Sequence, residues 1–156
     1  MKSVVLSVAL AGAALLVPGA QAQVVTEEMT AENAMHCSAF SGFTGGMVME
    51  EDPVFAADLM KAAYTFGTFA YDLYEGPEEE MDVAAENKID WIDDQLDGFG
   101  ADEEATISFM ETHLAACTKL REANLEEYSE VEAIVARDYA AQLGAMAGGQ
   151  GLIENN

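Results

Sequence analysis

The residues best equipped for chemistry are two histidine–cysteine pairs: His36 beside Cys37, and His113 four positions ahead of Cys117. As thiolates and imidazoles brought to one point, they would form the two-sulfur, two-nitrogen donor set that suits a tetrahedral zinc or copper(I) site. That reading needs both thiols reduced. If the cysteines pair with each other instead, His36 and His113 remain as the only transition-metal donors at that place. Met47-Val48-Met49 adds thioether sulfur suited to copper, although several of the nine methionines stand at core spacing, where Met is ordinary filling.

The same histidine allows a second chemistry. His113 together with Met29 or Met35 is an axial ligand pair of the kind used by helical-bundle cytochromes, and it raises non-covalent haem. The chain has no Cys-x-x-Cys-His, which excludes covalent c-type attachment.

The segment Asp93-Asp94-Gln95-Leu96-Asp97-Gly98-Phe99-Gly100-Ala101-Asp102-Glu103-Glu104 offers a third. It can be laid on a twelve-residue calcium loop, with oxygens from Asp93, Gln95, Asp97, the Phe99 carbonyl and a bidentate Glu104, and Gly98 at the sharp turn. Over this segment alone the chain resembles an EF-hand. It departs from that pattern at Gln95, where Asp or Asn is usual, and at Gly100, where an apolar residue normally pairs with a second hand. The competing expectation is that Gly98 and Gly100 end one helix, Asp102 caps the next, and the carboxylates form a solvated face. No cofactor is the leading expectation, with calcium as the alternative.

Signatures of enzymes are missing. The chain has no Gly-x-Ser-x-Gly, Ser-x-x-Lys, His-Glu-x-x-His or phosphate-cradling glycine loop. Two histidines and few bases give nucleophilic catalysis little to work with. A non-enzymatic protein is expected.

Where these residues work is set by the first two dozen positions. Lys2 precedes an apolar run from Val4 to Val17, Pro18-Gly19 breaks it, and Ala20-Gln21-Ala22 is the small-x-small pattern that signal peptidase recognises. Residues 1–22 read as a cleaved Sec-type signal peptide, and the mature chain is expected to begin at Gln23. The run is shorter than the about 20 residues a bilayer span needs, so stable membrane insertion is not expected. The expected location is a bacterial periplasm or the exterior.

The formal charge is −23, from 29 acidic and six basic residues, and it becomes one unit more negative once Lys2 leaves with the signal. That excludes nucleic acid and anionic membranes as natural partners, and it favours a basic protein partner, bound cations or plain solubility. About half the residues are apolar and regularly spaced, so the chain is expected to fold despite its charge.

Five helices are expected to position the candidate residues. Helix one runs from 31 to about 50, capped by Thr30, with Cys37, Phe40, Thr44 and Met47 or Val48 in line. Its glycines Gly42, Gly45 and Gly46 either admit a close neighbour or split it. Asp52-Pro53 opens helix two to about residue 75, with a stripe of Phe55, Leu59, Ala62, Phe66, Phe69 and Leu73. Helix three runs from 78 to about 96 and buries Met81, Ala85, Ile89, Ile92 and Leu96, with Trp91 at the stripe's edge. Helix four follows Asp102 with Ile107, Met110, Leu114 and Cys117. Ser129 with Glu132 reads as a capping box that starts helix five, carrying Val131, Val135, Tyr139 and Met146.

No alternating β pattern occurs, so the expected fold is all-α. Short connections make consecutive helices antiparallel neighbours, which gives an up-down four-helix bundle with an additional C-terminal helix. It would form one domain over 23–147, followed by a flexible glycine-rich tail at 148–156. In that arrangement Cys37 and Cys117 fall at the same end on facing stripes. In an oxidising compartment they read as one interhelical disulfide. Closing a loop of that length contributes about 4 kcal/mol by chain entropy.

The function expected from these features is binding. One version is similar in size, compartment and disulfide to small acid-stress chaperones: falling pH discharges the carboxylates and exposes apolar stripes to unfolding clients. The other is an inhibitor or immunity-type partner for a basic enzyme, with charge steering the encounter.

Overall fold

A computed structural model describes residues 25–150, with side chains described as far as Asp138. The expected signal peptide and residues 151–156 lie outside the described residues. The chain forms five helices: α1 (Ala31–Val48), α2 (Pro53–Leu73), α3 (Glu78–Phe99), α4 (Glu103–Ala123) and α5 (Leu125–Gln150). Among the described residues there is no strand, and no helix is long and apolar enough to cross a membrane.

The helix starts follow local chemistry. Thr30 accepts a hydrogen bond from the Asn33 N–H, Asp52 from Phe55 and Asp102 from Ala105, each satisfying a donor the first turn leaves open. Gly100, with φ of 57°, ends α3 in a left-handed conformation that suits glycine. The fifth helix departs from expectation. Ser129 does not cap it; its hydroxyl donates to the Leu125 carbonyl from inside the helix. Asn124 alone separates α4 from α5, and its side-chain amide donates to the Leu120 and Glu27 carbonyls. α5 continues to Gln150, so the glycine-rich stretch from Gly148 begins in helix. Tyr139 and Met146, expected on its stripe, lie beyond the described side chains.

α1 is the centre of the fold. It packs most extensively on α2 and also against α3 and α4, while α5 lies on α2 and α4. The glycines do not split α1; they bring α2 close. A Cβ on Gly45 would stand 3.2–3.3 Å from Met60 and Leu59 side-chain atoms and the Ala56 carbonyl. α2 answers with Ala56, Ala63 and Ala70, seven residues apart and all buried, and the Ser38 hydroxyl donates to the Ala63 carbonyl at 2.9 Å.

This close seam rotates α2 away from its large residues. Phe66 and Phe69 are buried, but Phe55 and Leu73 at the helix ends are exposed, as are Ile89 on α3 and Ile107 on α4. α3 buries only Met81 and Ile92 fully and is the most superficial of the first four helices. The core has two clusters. One gathers Met35, Phe66, Phe69, Leu120 and Tyr128 around Cys37 and Cys117; the other gathers Ile92 and Met110 around Phe40.

Candidate functional site

The seam between those clusters holds the chemically distinctive group. Cys37 on α1 and Cys117 on α4 form a disulfide with Cα atoms 5.4 Å apart. The next rung between the same helices is polar: His36 Nε2 and His113 Nδ1 are 3.0 Å apart. Phe40 follows, against both His113 and Phe109. As α1 ascends from 37 to 40, its contacts on α4 descend from 117 to 109, so these two helices run antiparallel.

His36 is 1% exposed and His113 5%. Aromatic rings enclose them. Phe40 stacks on His113 with centroids 4.3 Å apart and lies 4.6 Å from His36. Phe109 meets His113 edge-on at 4.7 Å, and Trp91 of α3 meets it edge-on at 5.9 Å. The Lys88 ammonium sits 5.3 Å from the centre of the Trp91 ring.

An imidazolium has little to gain here. Burial, then the neighbouring His113, then the Lys88 charge push the His36 pKa down to about 3. Burial and Lys88 also lower His113. Both rings are therefore neutral at neutral pH, and one donates to the other. His36 Nδ1 is buried without a hydrogen-bond partner. An orphaned acceptor costs less than an orphaned N–H, which assigns the proton to His36 Nε2, donating to His113 Nδ1.

The expected four-donor metal set is not assembled in this form, because Cys37 and Cys117 are bonded to each other. His36 and His113 do converge. No third histidine, cysteine or carboxylate joins them in a group able to hold a metal among the described residues. Met35 belongs to the disulfide cluster, and the rings of Phe40 and Phe109 pack directly on His113.

The residues of the expected calcium loop fall mostly on helices. Asp93, Gln95 and Asp97 stand on the last turns of α3, Phe99 is its final residue, and Glu104 lies in the first turn of α4. A helical stretch presents these side chains in different directions along a rod, whereas a calcium loop must wrap them around one point. The turn shrinks to Gly100, Ala101 and Asp102, the helix-stop and helix-cap arrangement.

Sequence reasoning brought both histidines to one place as metal donors, but not as partners of each other's hydrogen bond, and it did not see their cage. The signal was present in the spacing: Phe40 follows His36 by four residues and Phe109 precedes His113 by four, so each helix carries a His–Phe pair on one face.

No family model, curated protein or solved structure matches this chain. The functional argument therefore rests on the site itself.

Proposed function

We propose that the chain is an exported, non-enzymatic helical binding protein that offers apolar surface to a protein partner once acid charges its buried histidine pair. The observation that carries this is the His36–His113 hydrogen bond inside an aromatic cage, with His36 held neutral down to about pH 3. Between that pH and the ordinary histidine range, the unfolded or opened chain binds protons that the closed one refuses, so acid favours opening. Acid also discharges surface carboxylates, which lowers the self-repulsion that would keep two acidic surfaces apart. The short connections fit an antiparallel up-down arrangement with α5 added, and the Cys37–Cys117 bond would keep the opened form from unravelling between α1 and α4.

The test measures hydrophobic-dye fluorescence and suppression of client aggregation from pH 7 to pH 3. The wild type should gain both, and the His36→Gln/His113→Gln double variant should gain them only at lower pH. Dye binding that stays flat across the range in wild type removes the proposal.

A second reading, a charge-steered complex with a basic protein, draws on the imbalance of 29 acids against six bases. It requires a specific partner at neutral pH whose association slows steeply with salt.

A further inference from the structure

A groove between α1 and α3 stays open in the folded chain. Its volume is about 560 Å³, and it is lined by Ala39, Gly42, Phe43, Gly46 and Met47 of α1 and by Ile89 of α3. The α1 residues recur at steps of three and four, so they share one face of that helix. Among the described residues nothing fills this face: a Cβ on Gly46 would meet nothing within 4 Å, Met47 is 53% exposed, and Ile89, expected in the core, is 45% exposed.

The groove is also free of charge in a chain that is not. From Asn33 to Met49 there is no Asp, Glu, Lys or Arg, whereas Glu50, Glu51 and Asp52 follow at once. On α3, Glu86 stands three residues before Ile89 and Asp93 four after it, both exposed on the same side of the helix. Lys88, the single base of α3, is directed over the Trp91 ring. The result is an apolar face with acidic edges.

That combination selects its occupant. From Ala39 to Met47 the groove follows α1 for about 12 Å, roughly two turns, so a helix laid in it offers apolar side chains at i, i+4 and i+7. The acidic edges ask for Lys or Arg beside that apolar face. A second copy of the chain would bring the same excess of acids and is repelled at neutral pH. Met47 supplies a flexible wall that adapts to side chains of different shape.

We propose that the α1–α3 groove seats a basic amphipathic helix of a protein partner. The partner's apolar stripe lies against Phe43, Met47 and Ile89, its backbone comes close at Gly46, and its bases meet Glu86, Asp93 and the acids that follow α1. The proposal rests on the charge-steered reading and deepens it, naming the surface where the encounter ends. It is independent of acid opening, because the groove belongs to the closed form with its histidines uncharged.

The test follows a dye-labelled synthetic helix of leucine and lysine, about four turns long with its leucines on one face, by fluorescence anisotropy with the full mature chain at pH 7. Saturable binding is expected, weakened about tenfold as salt rises from about 0.05 to 0.5 M. Gly46→Gln fills the open face with a good helix former and leaves the charge unchanged, so it should fold at least as stably as wild type and yet weaken the peptide about tenfold. Ile89→Gln should weaken it by a similar factor, whereas Ile107→Gln, at an equally exposed position on α4, should not. A peptide with glutamate for lysine, or with its leucines scattered around the helix, should fail to compete. Salt-sensitive binding that Gly46→Gln leaves untouched overturns the groove and spares the charge-steered reading. Absence of salt-sensitive binding to wild type removes both. Dimerisation of the chain alone that Gly46→Gln abolishes also overturns the proposal, since a second copy would then be the occupant.

Discussion

Replacing His36 and His113 by Gln removes the acid-sensitive protons while leaving two neutral amides that can still hydrogen-bond across α1 and α4. The size of the effect follows from the shift of His36, from 6.5 to about 3. At 1.36 kcal/mol per unit this is about 5 kcal/mol. The sign is set by linkage: the folded-state pKa is depressed, so the unfolded chain binds more protons between pH 6.5 and about 3. Above that window the histidine contributes no pH dependence. As pH falls through it, folded stability drops, and the full loss is reached below about 3. His113 is lowered in the same direction. The two rings share one hydrogen bond and titrate as a unit, so about 5 kcal/mol is a ceiling for the first proton. Against the 5–15 kcal/mol stability of ordinary domains, that loss is enough to open a marginal one. Urea unfolding at half-unit steps from pH 7.5 to 3 reads it directly. The wild-type midpoint should fall more steeply than that of the double variant, with the gap widening below pH 6.5. Parallel curves would refute the reasoning, since all acid sensitivity would then lie in the carboxylates.

Three further outcomes bear on the scaffold. Cys37→Ser/Cys117→Ser should lower stability by about 4 kcal/mol, given a separation of 80 residues, and reductant should move the wild-type melting temperature toward that of the variant. Gly45→Ala should destabilise by forcing α2 off α1, whereas Gly46→Ala, whose Cβ would meet nothing within 4 Å, should gain about 0.5–1 kcal/mol in thermal or urea melts. Millimolar calcium should leave the melting temperature unchanged; a rise that Glu104→Gln abolishes would mean that α3 unwinds beyond Asp93 to form the loop.

The caps and the disulfide were legible because their causes are local or combinatorial. Thr30, Asp52 and Asp102 act on donors three residues away, and two cysteines on facing stripes have one way to pair. The face of α2 was misjudged for a physical reason. Periodicity weights the largest apolar residues, but the tightest contact in this fold is made by the smallest, with Ala56 and Ala63 against the glycines of α1. The false capping box at Ser129 has a similar origin, since a serine hydroxyl satisfies itself equally well on the carbonyl four residues back. In the calcium pattern, spacing alone does not say whether Gly98 breaks a helix. Gly98 sits inside α3, and Gly100 is the residue that turns. The histidine pair could not be read from either helix separately, because it depends on the register that the disulfide sets one rung away.

That register also determines which helix should yield first in acid. α1 and α4 flank the histidines but are bonded through Cys37 and Cys117, so they cannot part. α2 is held to α1 by the small-residue seam and the Ser38–Ala63 hydrogen bond. Of the first four helices, α3 has the weakest hold. It buries only Met81 and Ile92 fully, yet it supplies Trp91 to the cage and Lys88 beside it. Its polar ties to the α2 end are the hydrogen bonds from the Tyr71 hydroxyl to Asp82 and from the Tyr74 hydroxyl to Glu80, which are exposed and weaken when a carboxylate gains a proton. Charging His36 or His113 next to Lys88 adds repulsion on the α3 side, and swinging α3 outward admits water to the imidazolium. Hydrogen exchange near pH 4 should therefore show α3 amides losing protection first and the α1–α4 amides around the disulfide losing it last. Simultaneous loss in all helices would mean that acid unfolds the chain globally and leaves no discrete open form to receive a partner.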